Sequence, residues 1–395
     1  MISRTLMHRN RELADFEVDP ATGEAHLIDL VADDDHAASL GLTRQRGDWA
    51  LSRLVERRAI SPSRADKDDV LAAFGAKSTI GLALRGHGVS LSDQFWYRVP
   101  GSTDRWEDIN FFDNGWDARF GLAALAGDYT ALASCSLDVP EATTSGHAVK
   151  LWERNDDGIF LVKAATYPDG AELVGAKLAS EMCALLFDEG SYVSLDLVER
   201  CGKPCSISPL MLGPDEELVD GNRLQVIANM REGFSLSGGD VTMEMYNALI
   251  EAYAKIGIAD ASAQVARMAC FSSLTLLADF NASNYGVIRK IDSDGWRVAP
   301  LFDYDGSFGF PVRGVTIAYM SENPLLVQLL CAQKFTCLTP SWDWSWYDPR
   351  ALDGFEKSIE ETYAACESLP PNFAELIAHV FALQHEYVNK VAAVE

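Results

Sequence analysis

The sequence predicts an α+β fold with two lobes, a small lobe built on antiparallel strands and a larger helical lobe, together with an additional N-terminal region. Residues 141–212 follow the order strand, strand, helix, strand, strand. Beyond residue 215 the patterns are mostly helical, and one irregular stretch with short strands, 279–310, interrupts them. We therefore divide the chain into three parts, with a hinge near Gly213-Pro214: 1–140, 141–212 and 213–395.

The small lobe is predicted from its two turn signals. Asn155-Asp-Asp-Gly joins two apolar runs, and Cys201-Gly-Lys joins two more, so each is typical of a hairpin. Between the hairpins, apolar residues recur at helical spacing. The expected strands are 148–153, 159–165, 192–199 and 204–212, around a helix at 172–187; the main helices beyond them are expected at 242–256, 261–277, 355–367 and 373–391.

Composition excludes several classes of protein. A net charge of −25 over 395 residues argues against broad binding to nucleic acid or to anionic membranes, because both need a surplus of Lys and Arg. The apolar runs are too short to span a membrane, and the first residues lack the apolar core of a signal peptide. The eight cysteines are scattered, which favours reduced thiols. We expect a soluble, cytoplasmic protein with no direct nucleic-acid or membrane partner.

A lysine closes the second predicted strand of the small lobe, in Phe160-Leu-Val-Lys163. On its own, such a lysine is usually a solvated strand end. Glu172 follows nine residues later, at the start of the predicted helix, and Glu181 lies further along it as a second choice. A strand Lys paired with a helix Glu directs an ammonium group at the phosphates of ATP in kinases, so the pattern predicts a phosphate-binding Lys163.

Two acidic positions and one amide in the irregular stretch suit phosphoryl transfer. Asp279 and Asn284 are five residues apart, which is the spacing of the base and the metal-binding amide in a kinase catalytic loop, although a turn rich in Asx residues explains it equally well. Asp303 ends the apolar segment Val298-Ala-Pro-Leu-Phe and is followed by Asp305. A buried acid is costly unless it is paired or binds a cation, so a magnesium ligand is predicted there.

A candidate phosphate loop precedes the first strand of the small lobe. In Thr143-Thr-Ser-Gly-His-Ala-Val-Lys150, small residues around Gly146 allow backbone N–H groups to approach phosphate oxygens, and Lys150 adds positive charge. A plain turn is the alternative. The sequence contains no G-x-G-x-x-G motif and no Walker A motif.

With these elements the chain resembles the HipA-like kinases, bacterial Ser/Thr kinases that include the toxin members of toxin–antitoxin pairs. The matching catalytic elements are the loop from Thr143 to Lys150, the Leu-Val-Lys163 strand, Glu172, Asp279-x-x-x-x-Asn284 and Pro300-Leu-Phe-Asp303. Outside them, Leu6-Met-His, Ser90-Leu-Ser-Asp-Gln-Phe-Trp and Trp106-Glu-Asp-Ile-Asn-Phe-Phe resemble the upstream region of a subgroup of these proteins, so the resemblance spans nearly the whole chain. It implies a two-lobed protein-kinase-like fold, with a β-rich N-lobe and a helical C-lobe.

The resemblance also implies roles for individual residues. Asp279 would be the catalytic base and Lys163 the phosphate-binding lysine, while Asn284 and Asp303 would hold Mg²⁺. Gly146, Lys150 and Glu172 would belong to the ATP site. Some members are autophosphorylated three residues before the loop glycine, which is Thr143 here. The implied activity is ATP- and Mg²⁺-dependent transfer to a Ser or Thr of a protein substrate; a small antitoxin-type partner is an option that the sequence leaves open.

One departure from the family pattern keeps alternatives open. The family loop usually carries a basic residue, most often His, between the Asp and the Asn, and here Phe280 and Asn281 occupy that stretch. A pseudokinase that senses nucleotide and meets a partner through residues 1–140 is therefore a second hypothesis. An enzyme of the same fold that phosphorylates a small molecule or lipid, or that transfers AMP, is a third.

Overall fold

The computed structural model describes residues 1–31, 35–166, 170–228, 243–277, 281–293, 295–308, 338–367, 369 and 372–393. Its strands form three sheets. They are β1 (Ile2–His8), β2 (Arg11–Val18), β3 (Ala25–Leu30), β4 (Phe95–Arg98), β5 (Lys150–Asn155), β6 (Gly158–Ala164), β7 (Asp196–Arg200), β8 (Lys203–Pro209), β9 (Glu216–Asp220), β10 (Gly286–Lys290) and β11 (Trp296–Val298).

The described helices fall into two groups, those before residue 140 and those after residue 170. The first group, closed by a 3₁₀ turn at Pro140–Ala142, is α1 (Asp35–Ser39), α2 (Gly47–Arg57), α3 (Lys67–Ala73), α4 (Thr79–Ala83), α5 (Trp106–Ile109), α6 (Arg119–Ala126) and α7 (Tyr129–Leu132). The second group is α8 (Ala171–Leu186), α9 (Gly221–Ile227), α10 (Met243–Lys255), α11 (Ala261–Leu274), α12 (Phe355–Tyr363) and α13 (Phe373–Ala392). None of them is both long and apolar enough to cross a membrane.

The small lobe is a four-stranded antiparallel sheet in the order β5-β6-β8-β7, with α8 inserted between β6 and β7. The two predicted hairpins form where their turn signals lie: Asn155 pairs with Gly158, and Arg200 pairs with Lys203. Cys201 and Gly202 both have positive φ, of 52° and 71°, as a tight two-residue turn between twisted strands requires. The strand–strand–helix–strand–strand order is thus the predicted one.

The N-terminal region contains a second sheet, in the order β3-β2-β1-β4, which the irregular sequence pattern did not predict. Several aromatic residues of this region are buried: Trp96 and Trp106 pack in one cluster with Trp152 of β5. Burial of large aromatic side chains is among the strongest contributions to packing. This cluster therefore fixes the N-terminal region against the small lobe.

The helical lobe holds the largest core, in which α8, α10, α11, α12 and α13 contribute most of the buried side chains. A three-stranded sheet, β11-β10-β9, lies at its edge. Its first strand, β9, also connects to the N-terminal region, since the backbone N–H of Leu218 donates to the carbonyl of Ser92 over 2.8 Å. The N-terminal region, the small lobe and the helical lobe therefore contact one another close to residue 213, where the helical lobe begins.

Candidate active site

Two lysines of the small lobe face the same space. Lys150 and Lys163 are directly opposed partners in the antiparallel pair β5–β6, so their side chains leave the sheet on one face. Both are largely buried. The two amino groups therefore lie on one face of this small sheet.

The loop before β5 closes over these lysines. The Lys150 ammonium donates to the carbonyl oxygen of Ser145, and Gly146 has a φ of +106°. A Cβ at position 146 would collide with Nζ of Lys150. Glycine is therefore favoured by its backbone conformation, whereas the flexible end of the Lys150 side chain can shift to make room for a Cβ.

Asp303 and Asp305 meet Lys163 from the helical lobe. Nζ of Lys163 lies 2.5 Å from Oδ1 of Asp303 and 3.2 Å from Oδ2 of Asp305. Asp303 itself has a φ of +58°, in the left-handed region that Asp tolerates better than most residues. The segment is anchored by Tyr304, whose buried hydroxyl donates to the carbonyl oxygen of Val193 over 2.7 Å.

This ion-paired arrangement sets the charges of the site. Burial alone would lower the pKa of Lys163, but the two carboxylates outweigh it and hold that pKa above its ordinary value. Burial would likewise raise the pKa of Asp303, and Lys163 holds it below its ordinary value instead. Among the described residues no carboxylate forms an ion pair with Lys150: burial, and then repulsion from Lys163, lower its pKa to about 8.

Asn284 and Asn281 line the same cleft. The backbone N–H of Asn284 donates to the carbonyl of Asn281 over 2.9 Å, and the N–H of Ser283 donates to the Asn281 side chain, so this end of the loop is an Asx turn. Asp279 and Phe280 lie outside the described residues. The assignment of Asp279 as the base therefore stays a prediction.

The ion pair predicted between Lys163 and Glu172 is not formed in this structure. Within the parts of the chain that the structure describes, the ion pairs of Lys163 are those with Asp303 and Asp305. Glu172 begins α8, and its Oε1 accepts the backbone N–H of Thr166 just before the helix. The second choice, Glu181, lies 3.6 Å from Lys177 in the next turn of its own helix. Lys163 therefore pairs with carboxylates that the fold brings close to it, rather than with a carboxylate that is close to it in the sequence.

Thr143, the position where autophosphorylation was expected, has a buried hydroxyl. Its Oγ1 donates to the carbonyl oxygen of Val89 over 2.7 Å, which ties the start of the loop to the N-terminal region. The loop would have to move before this hydroxyl could receive a phosphoryl group.

Lys163, Asp303 and Asn284 lie in one cleft of about 570 Å³, a size typical of sites for small molecules and cofactors. Sequence reasoning did not identify other residues that line this cleft, among them Arg53 and Arg57 of α2. Arg57 contacts Asp220 over 3.0 Å. The run of basic residues in α2 was a visible signal, but only the fold turns it toward the cleft.

Comparison with known proteins supports the architecture. No protein-family model and no curated protein matches the sequence. The structure of HipA from Shewanella oneidensis MR-1, solved in a complex of the toxin–antitoxin system HipA, HipB and its operator DNA, matches with a TM-score of 0.51 at 13% identity, covering 99% of this chain and 100% of that chain. The Helicobacter pylori proinflammatory kinase CtkA matches with a TM-score of 0.45 at 12% identity, covering 63% of this chain and 94% of that chain.

At such low identity a structural match establishes the fold and nothing beyond it. The match to HipA extends over almost the full length of both proteins, so it includes the N-terminal region as well as the two lobes. The chain therefore has a HipA-like protein-kinase fold.

Proposed function

We propose that this protein is an ATP- and Mg²⁺-dependent phosphotransferase that acts on Ser or Thr hydroxyl groups of a protein substrate. The observation that carries the proposal is the meeting of Lys163 with Asp303 and Asp305, which lie 140 and 142 positions further along the chain, at a large cleft that Lys163 and Asp303 line. A phosphate-binding ammonium next to a pair of carboxylates is the arrangement from which kinases position a nucleotide.

The cationic side of the cleft suits a polyphosphate. Lys163 would contact the phosphates of ATP, with Lys150 and the backbone around Gly146 next to them. Repulsion between the two ammonium groups is relieved when they share an anionic ligand. Glu172 is not a partner of Lys163 in this geometry, so a role for it in the ATP site would require α8 or Lys163 to move.

The acidic side suits a magnesium ion. Asp303, Asp305 and Asn284 offer carboxylate and amide oxygens, the donors that Mg²⁺ prefers, and the lowered pKa of Asp303 keeps that group ionised at neutral pH. Mg²⁺ would supply neutralisation of the phosphate charge. Lys163 now occupies these carboxylates, so it would turn from them toward the phosphates when nucleotide binds.

Two further roles rest on the sequence. Asp279 would orient and deprotonate the acceptor hydroxyl. Thr143 would be an autophosphorylation site once its hydrogen bond to Val89 is broken.

A small antitoxin-type partner is proposed from the match to HipA over nearly the whole chain, since that protein was solved together with HipB. Phe280 and Asn281, which replace the basic residue of the catalytic loop, favour a nucleotide-binding module without transfer as a second candidate.

Labelled ATP tests the proposal. The purified chain would be incubated with Mg²⁺ and ATP labelled in the γ- or the α-phosphate, with a mixture of proteins as acceptor. We expect label to reach protein Ser or Thr from the γ-phosphate only, and Asp303→Ala to abolish it. Asp196→Ala is the matched control, because Asp196 also pairs with a lysine, Lys177 at 2.6 Å, away from the cleft. Transfer from the α-phosphate would indicate an AMP transferase, and ATP binding without any transfer would indicate a pseudokinase.

A further inference from the structure

Two histidines and a glutamate from three separate elements converge behind one wall of the cleft. His8 ends β1, His36 lies in α1, and Glu217 lies in β9. Their ligand atoms all lie within 4.8 Å of one another, the one such group with metal-binding potential among the described residues. Glu217 is completely buried and His8 is 4% exposed. None of the three lines the cleft.

The distances within this cluster suit a metal ion. Nε2 of His8 lies 3.3 Å from Oε2 of Glu217, and Nδ1 of His36 lies 3.5 Å from Oε1 of Glu217. Four ligands placed about 2.0–2.1 Å from a tetrahedral Zn²⁺ lie about 3.3–3.4 Å from one another. The two imidazole rings are stacked, with centroids 3.7 Å apart, so one ring has to rotate for both nitrogens to face one ion.

Two arginines border the cluster. Arg223 lies 3.4 Å from Oε1 of Glu217, and it also contacts the Ser39 hydroxyl, the Leu218 carbonyl and the ring of Phe95. Arg289 lies 3.5 Å from Nδ1 of His36 and 3.8 Å from the Asp35 carboxylate. A buried carboxylate held by Arg223 and two imidazoles would satisfy the same contacts without a metal. For Nδ1 of His36 to bind a metal ion, Arg289 has to move away from that nitrogen. The exposed carboxylate of Asp35, 3.8 Å from Arg289, can pair with the displaced guanidinium group.

We propose that His8, His36 and Glu217 form a zinc site that joins the N-terminal region to the first strand of the helical lobe. Two imidazole nitrogens and one carboxylate are a known donor set for Zn²⁺, with a fourth position left for water. Imidazole selects against Mg²⁺, which prefers oxygen ligands, so this site and the nucleotide site would take different metals.

Such a site would stabilise the contact between the N-terminal region and β9. β1 and α1 belong to the N-terminal region, whereas β9 leads into Asp220, which lines the cleft and caps α9. Because the free energy of metal binding adds to the stability of the state that presents all three ligands, Zn²⁺ would hold these elements together.

Zinc titration of the full-length, nucleotide-free protein tests the proposal. We expect one equivalent of Zn²⁺ to bind per chain and to raise the midpoint of thermal unfolding. His36→Ala should weaken binding about 100-fold or more, since one of three protein ligands is lost. His8→Gln is a second variant in case the first fails to fold, as judged by circular dichroism. Co²⁺ in place of Zn²⁺ should give the absorption of a tetrahedral nitrogen and oxygen site, without thiolate charge-transfer bands.

His26→Ala is the matched control. His26 also faces a carboxylate, Asp48 at 3.4 Å, but it is exposed and has no second histidine. Zinc binding should be unchanged in His26→Ala and in Asp303→Ala, the latter because the proposed zinc site is independent of the nucleotide site. The proposal is overturned if no stoichiometric zinc binds, if His36→Ala and His8→Gln bind it as tightly as the wild type, or if thiolate bands show that cysteines hold the ion.

Discussion

Lys163→Met tests whether the lysine and magnesium compete for the same carboxylates. In the structure, the ammonium group of Lys163 lies 2.5 Å from Asp303 and 3.2 Å from Asp305. Removing it leaves two neighbouring carboxylates without their cation. Mg²⁺ alone should then bind more tightly, whereas ATP should bind more weakly because its phosphates lose a charged donor. The two affinities should therefore change in opposite directions.

The size of each change follows from the geometry. Two unit charges 2.5–3.2 Å apart interact by about 5–7 kcal/mol at an effective dielectric constant near 20. The carboxylates are 31% and 47% exposed, so solvent screening reduces the net interaction to about 1–2 kcal/mol. Mg²⁺ affinity should accordingly rise about tenfold. A charged hydrogen bond contributes about 1.5–3 kcal/mol, so ATP affinity should fall about 10- to 100-fold.

Calorimetric titration measures both quantities, first with Mg²⁺ alone and then with ATP at saturating Mg²⁺. Lys177→Met is the control, because Lys177 also contacts two carboxylates, Asp196 at 2.6 Å and Glu181 at 3.6 Å, outside the cleft. It should change neither affinity. A Lys163→Met protein whose Mg²⁺ affinity stays constant or falls would refute the competition, and unchanged ATP affinity would remove Lys163 from the phosphate site.

Three further predictions concern charge and catalysis. Burial and then Lys163 lower the pKa of Lys150 to about 8, so ATP affinity should fall as the pH rises through about 8. In Lys150→Arg this fall should be smaller. A wild-type ATP affinity that does not change with pH would contradict the prediction. Burial raises the pKa of Glu141 to about 7, so the free energy of unfolding, measured with urea, should decline as the pH rises from 4.5 to 7. Glu141→Gln should remove this decline, and at pH 8 it should be more stable than the wild type by up to about 3 kcal/mol. Equal pH dependence in the two proteins would refute the prediction. Asp279→Asn should slow phosphoryl transfer about 10²- to 10⁴-fold with less than a tenfold change in ATP affinity. Asn281→His should have a turnover equal to or above that of the wild type. Equal turnover in Asp279→Asn and the wild type would mean a contaminating activity or a pseudokinase.

Much of the small lobe was determined by local sequence. The turns at Asn155-Asp-Asp-Gly and Cys201-Gly-Lys specify their hairpins because they supply residues that adopt positive φ between two apolar runs. The helix between them follows from apolar spacing alone. These signals act over a few residues, so they can be identified without knowledge of the rest of the chain. The N-terminal sheet also has a turn signal, Asp19-Pro-Ala-Thr-Gly23 between β2 and β3, but sequence reasoning did not use it, so that sheet was not predicted.

The contacts of the candidate site were decided by the tertiary structure. Sequence reasoning identified Lys163 and Asp303 by their positions at the ends of apolar segments, yet it paired Lys163 with Glu172, nine residues away, rather than with carboxylates about 140 residues away. The cluster of His8 and Glu217 is likewise invisible in sequence, since 209 residues separate them. Residue type and spacing determine which groups can carry the chemistry. Distance and burial in the packed fold decide which of them meet, because charge interactions depend on separation in space and on the exclusion of water.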